Sequence, residues 1–136
     1  MNYWLLKSDP ETYSWINLEQ DKQTIWDGIR NYQARNNLKL MKKGDIALFY
    51  HSNLGTDIVG QVKIIREAYQ DPSTDDKNWF VIDIKIDKKY KKSLTLAEMK
   101  KNPMFQNIGL IKHSRLSVMP ITNEEYAEIY RLCNGK

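Results

Sequence analysis

Between Phe80 and Asp87 the chain alternates strictly, with Phe80, Ile82, Ile84 and Ile86 on one side and Val81, Asp83, Lys85 and Asp87 on the other. A period of two puts the apolar groups on one face of an extended strand. A lone strand cannot bury such a face, so these residues demand a sheet with a core against it. Asn2 to Lys7 is an aromatic and aliphatic run, Asp45 to Ser52 is a strand built on the apolar run Ile46 to Tyr50, and Ile58 to Tyr69 follows a polar, glycine-containing turn over Ser52 to Asp57. Together they predict a buried first strand and a later hairpin. Leu116 and Val118 alternate with Ser117 and Met119 in one more strand, which Pro120 ends.

Helix signals fall between these segments. Ser14 reads as an N-cap for a short helix with Trp15, Ile16 and Leu18 on its apolar face. Ala34, Leu38 and Met41 recur at helical spacing from about Asn31, with Lys42 and Lys43 before a capping Gly44. Thr95 with Glu98 and Thr122 with Glu125 are capping boxes, the second opening a helix through Tyr126, Ile129, Tyr130 and Cys133. The order is strand, helices, three strands, helix, strand, helix, without the regular alternation of a parallel doubly wound sheet. This predicts an α+β fold whose mixed sheet curls toward a small barrel. No repeat or Pro/Gly-rich linker interrupts the 136 residues, so residues 1–136 read as a single domain.

Composition removes several function classes. The longest apolar run, Ile46 to Tyr50, is five residues, against roughly 20 for a membrane span. The apolar stretch near Met1 is too short for a secretory signal. Cys133 is the single cysteine, which excludes an internal disulfide and a Cys-type zinc site and points to a reducing cytoplasm. His51 and His113 are not spaced for a metal, and there is no Gly-rich phosphate loop, so no cofactor is expected. The net charge of +4 is unevenly spread: residues 69–136 hold twelve basic and nine acidic groups. Lys88, Lys89, Lys91 and Lys92 are the densest cluster, either a phosphate-binding patch or a solvated lysine face.

Thr24 to Asn37 packs amides, two arginines, Trp26 and Tyr32 into fourteen residues. Asn and Gln carry paired donors and acceptors that match nucleobase edges, and Trp offers a stacking face. Arg30 and Arg35 add guanidiniums suited to phosphate. The same residues also fit two core aromatics with amides as helix caps, and the residues alone leave both readings open.

Several blocks, taken in order, carry a resemblance: Tyr3 to Pro10, Trp26 to Asn36, Gly44 and Asp45 with Phe49 to Ser52, Ile58 to Gly60, and Arg115 to Pro120. Together they resemble an EVE domain of the PUA-like superfamily. The resemblance implies a PUA-like curled mixed sheet, a pseudo-barrel with flanking helices. EVE domains of this type are associated with modified DNA bases, and the related YTH domain reads a methylated adenine in RNA through an aromatic cage.

Carried onto this chain, the resemblance implies that Trp26 is a cage wall and that Lys7, Ser8 and Asp9 line the same pocket. Asn31, Tyr50, His51, Ser52 and Arg115 would surround it, with Tyr69 or Trp79 as the second wall. Where the family commonly has Glu, this chain has Asp9, a carboxylate one methylene shorter. The function so implied is a non-enzymatic reader that takes one modified nucleobase of DNA or RNA; of the oligomeric states, a monomer is favoured. Two alternatives stand beside it: an ASCH-type hydrolase using Lys7 with Asp9 or Glu11, and a binder of a free nucleoside.

Overall fold

The computed structural model describes residues 1–135; Lys136, the last residue of the expected domain, lies outside them. One sheet holds β1 (Tyr3–Ser8), β2 (Gln23–Trp26), β3 (Ile46–His51), β4 (Asp57–Gln70), β5 (Phe80–Thr95) and β6 (Val118–Ile121). The strand order is β2-β5-β4-β3-β1-β6. β1 and β3 are parallel and every other pair is antiparallel, so the sheet is mixed, as the element order implied. Around it lie α1 (Trp15–Asp21), α2 (Tyr32–Leu40), α3 (Leu96–Lys100), α4 (Gly109–Lys112), α5 (Asn123–Asn134) and a 3-10 turn, Pro103–Phe105.

The sheet curls without closing. β2 and β3 are three strand spacings apart, about 14 Å in a flat sheet. Yet the rings of Trp26 on β2 and Phe49 on β3 meet edge to face with centroids 5.7 Å apart. Only a strongly bent sheet brings them together. The bend is built into the long β4–β5 hairpin, whose register shifts between Ile58 and Gly60, Gln61 and Val62, Ile64 and Arg66, and Arg66 and Tyr69. β2 and β6 keep one sheet neighbour each, which leaves a seam.

The alternation in β5 is realised around Ile82 and Ile84, which are fully buried beside exposed Lys85. Gly60 is fixed by packing: a Cβ there would stand 2.5 Å from Cη2 of Trp15 and 2.7 Å from the Lys88 carbonyl oxygen. All three expected N-caps are in place, Ser14, Thr95 and Thr122, each in a reciprocal capping box.

Three expectations are corrected, and β2 is a strand that the sequence reading did not contain. β5 continues past Asp87 to Thr95, because its partner β4 continues to Asp57 opposite it. α2 stops at Leu40 with Met41 already extended, and Gly44, at φ +96, instead turns the chain into β3. Pro120 sits inside β6, opposite Trp4, where an edge strand has no need of its missing N–H.

Candidate functional site

The seam opens into a cleft of about 540 Å³. One wall is Thr24 to Ile29, from β2 and the turn after it; the other is Lys7 to Asp9 at the end of β1, with Thr12 and Tyr13, and Ser117 at the approach to β6. Gly28, at φ +78, makes the turn that keeps Asp27 to Ile29 in the first wall.

Trp26 is both core and wall. It is 7% exposed, anchored on Phe49 and set edge to face with Tyr13 at 6.2 Å and 80°. It is a core residue that also lines the cleft. Tyr13 is the second aromatic of the cleft, its hydroxyl donating to Asp21 at 2.8 Å. Burial, with the Asp21 carboxylate beside it, pushes the Tyr13 hydroxyl up to about 12, so it stays a neutral donor.

Ser8 and Asp9 hold Tyr13 in place. The Ser8 hydroxyl donates to the Tyr13 carbonyl, and the Asp9 carbonyl accepts the N–H groups of Thr12 and Tyr13 at 2.9 and 2.8 Å. The Asp9 carboxylate accepts from the Glu11 N–H and the Asn53 amide, both at 2.9 Å. Lys7 donates from Nζ to the Ser114 carbonyl at 2.7 Å, and burial lowers its ammonium below the ordinary lysine value.

Other expected site residues lie elsewhere. Tyr50 is in the core, 3% exposed. His51 Nε2 accepts the Trp15 N–H at 3.0 Å, a bond to the start of α1 rather than to the cleft. The Ser52 N–H is spent on the Ser8 carbonyl at 2.9 Å. Asn31 and Arg115 line a separate, polar pocket next to the cleft.

Neither expected second wall reaches the cleft. Tyr69 lies under the Arg66 guanidinium, 3.6 Å from the ring centroid, and bonds Asp83. Trp79 stacks on Tyr32 at 5.0 Å. Arg30 and Arg35 extend that stack, Arg30 over Trp79 and Arg35 over Tyr32. Arg30 also pairs with buried Asp71 at 3.0 Å, and Arg35 bonds Asn36 and the Asn78 carbonyl. Both guanidiniums are thus tied into structure. Lys88 donates to the Tyr130 hydroxyl of α5 at 2.6 Å, and Lys92 pairs with Glu98 of α3 at 3.7 Å. Neither they nor Lys89 and Lys91 line the cleft. Among the described residues no group of three His, Cys, Asp or Glu could hold a metal ion.

The curled, unclosed mixed sheet with its flanking helices is a PUA-like fold, and residues 2–132 match the family model of the EVE domain: the chain belongs to the EVE domain family. It is 39% identical to thymocyte nuclear protein 1 of Mus musculus, over 96% of this chain and 73% of that protein. A protein from Rhodopseudomonas palustris, Rpa0253, has the same structure at TM-score 0.93 and 41% identity, covering 98% of this chain and 93% of that one. Human THYN1, solved in complex with DNA containing 5-methylcytosine, superposes at TM-score 0.89 and 34% identity, covering 97% of each chain. ASCH from Zymomonas mobilis reaches TM-score 0.61 at 10% identity, covering 96% and 95% of the two chains, a likeness of fold alone.

Proposed function

We propose that this protein reads modified DNA by taking one modified nucleobase, a methylated cytosine among the candidates, into the cleft beside Trp26 and Tyr13. The observation that carries the reading is the cleft itself: an opening of about 540 Å³ with two aromatic side chains and a rim of polar groups, of the size small planar ligands use. The relative solved with 5-methylcytosine-containing DNA supports the ligand class.

Stacking on an aromatic side chain contributes roughly 1–3 kcal/mol per base, and burying a methyl group adds about 0.8 kcal/mol. Extracting a base from a duplex costs a few kcal/mol, so duplex binding needs backbone contacts and a single strand needs fewer. The chain acts in this reading as one EVE domain over residues 1–136, as a monomer and in the cytoplasm. The family match over residues 2–132 supports the single domain, and the free, buried Cys133 fits a reducing compartment. The hydrolase alternative gains no support from the geometry, because among the described residues no hydrogen bond or ion pair joins Lys7 to Asp9 or Glu11: Lys7 bonds the Ser114 carbonyl and Asp9 accepts from the Glu11 N–H and Asn53.

Titration of tryptophan fluorescence with single-stranded oligonucleotides, each carrying one modified or plain base, tests the proposal. Tighter binding of a modified base, weakened by Tyr13→Ala and leaving the oligonucleotide chemically unchanged, is the expected result. Equal binding of modified and plain bases overturns it, and preference for a modified RNA base would move the substrate from DNA to RNA.

A further inference from the structure

Beside the cleft lies a second cavity of about 300 Å³, walled by Asn31, Gln33 and the turn His113 to Leu116. Two chain segments run from one to the other. Ile29 of the cleft leads within two residues to Asn31, and Ser117 of the cleft follows Leu116. Between them stands Lys7, whose Nζ bonds the Ser114 carbonyl at 2.7 Å and keeps two further N–H groups.

Arg115 sets this pocket apart. Arg30 pairs with Asp71, Arg35 with Asn36, Arg66 with the Tyr69 ring and Arg131 with Glu128. Among the described residues Arg115 alone of the five arginines has no hydrogen bond, ion pair or aromatic neighbour. It is exposed, and the turn that presents it is closed by the Leu116 N–H on the His113 carbonyl at 2.9 Å. From Ile111 to Ile121 the chain has no carboxylate, so nothing local competes for the guanidinium. The Asn31 amide oxygen is occupied by the Ala34 N–H, which leaves its NH2 as a donor. A concave pocket that offers donors and a free guanidinium suits an anion with several oxygens.

We infer that this pocket is a phosphodiester subsite, in which Arg115, with Lys7 at the boundary, binds the backbone phosphate next to the nucleotide whose base occupies the cleft. The inference rests on the base-binding reading of the cleft and adds the path of the strand. It assigns backbone contact to the His113–Leu116 turn rather than to the lysines of β5.

The test compares free 5-methyl-2′-deoxycytidine with a single-stranded trinucleotide centred on the same base, with phosphodiester or with neutral methylphosphonate linkages. Arg115→Ala should weaken the phosphodiester trinucleotide about tenfold, lower the log–log salt slope by about one, and leave the nucleoside within about twofold. The methylphosphonate trinucleotide should bind wild type and Arg115→Ala alike. Lys100→Ala, which removes one exposed charge elsewhere, should change the trinucleotide affinity by less than about twofold. Equal binding of the phosphodiester trinucleotide by wild type and Arg115→Ala overturns the subsite, and so does an equal loss on the nucleoside. A wild-type protein that binds the nucleoside but gains nothing from the phosphates overturns the subsite alone. One that binds none of the three probes overturns the cleft reading as well.

Discussion

The His51 imidazole accepts the backbone N–H of Trp15 at 3.0 Å, so a side chain at the end of β3 satisfies a free donor at the start of α1. Only a neutral ring can do this, because a protonated one has no acceptor. Burial holds the His51 value below its ordinary 6.5, against the opposing pull of Asp57, whose carboxylate lies 3.8 Å from Nδ1. The folded state therefore binds this proton less readily than the unfolded chain. The corresponding stability is fully present above about pH 6.5 and is lost as the pH falls through the lower folded value. Thermal unfolding between about pH 7.5 and 5 should show the decline, and His51→Ala should flatten it while costing about 1–2 kcal/mol at neutral pH.

Tyr13 can be changed with less risk to the core than Trp26, since it is only half-buried. Tyr13→Ala should weaken binding of a modified single-stranded base by about 1–3 kcal/mol, while Tyr13→Phe keeps the ring and most of the affinity. Isothermal titration with both variants separates stacking from the loss of the Asp21 hydrogen bond. Equal losses in the two would place the hydroxyl, not the ring, at the ligand.

A methyl group at Gly60 has nowhere to go, with the Trp15 ring on one side and the Lys88 carbonyl on the other. Gly60→Ala should destabilise the protein by about 1–3 kcal/mol through overpacking, read as a lower urea midpoint with an unchanged slope.

The Asp71 side chain is fully buried, and it holds the Arg30 guanidinium together with the N–H and hydroxyl of Ser73. Burial raises the Asp71 carboxyl, but the Ser73 and Arg30 donors outweigh it and hold the group below the usual carboxylate value. Asp71→Asn should cost about 2 kcal/mol in chemical denaturation, the 41% exposure of Arg30 limiting the loss.

What the sequence made legible was whatever depends on near neighbours. Phe80 to Asp87 announced a strand by its period, and Ser14, Thr95 and Thr122 announced helix starts, because a cap and its donor lie three residues apart. β2 escaped notice because Gln23 to Trp26 is four residues long and only Trp26 is buried. Tyr13 stood in a polar turn, although an aromatic directly before an N-cap was a usable signal. The roles of Arg30 and His51 were not readable at all, since their partners Asp71 and Trp15 are 41 and 36 residues away in the chain. Trp26, Lys7, Ser8 and Asp9 do meet at one cleft, and the resemblance, not the periodicity, pointed to them.

β2 is hydrogen-bonded to β5 on one side only, and Thr24 to Trp26 line the cleft from this strand. One wall of the cleft and one open edge of the sheet are therefore the same few residues. Amide hydrogens there exchange with solvent through local opening more readily than those of the central strands. An occupant of the cleft would act as a temporary neighbour along that bare margin, slowing exchange at positions 24–26 and leaving the β3–β4 ladder as it was.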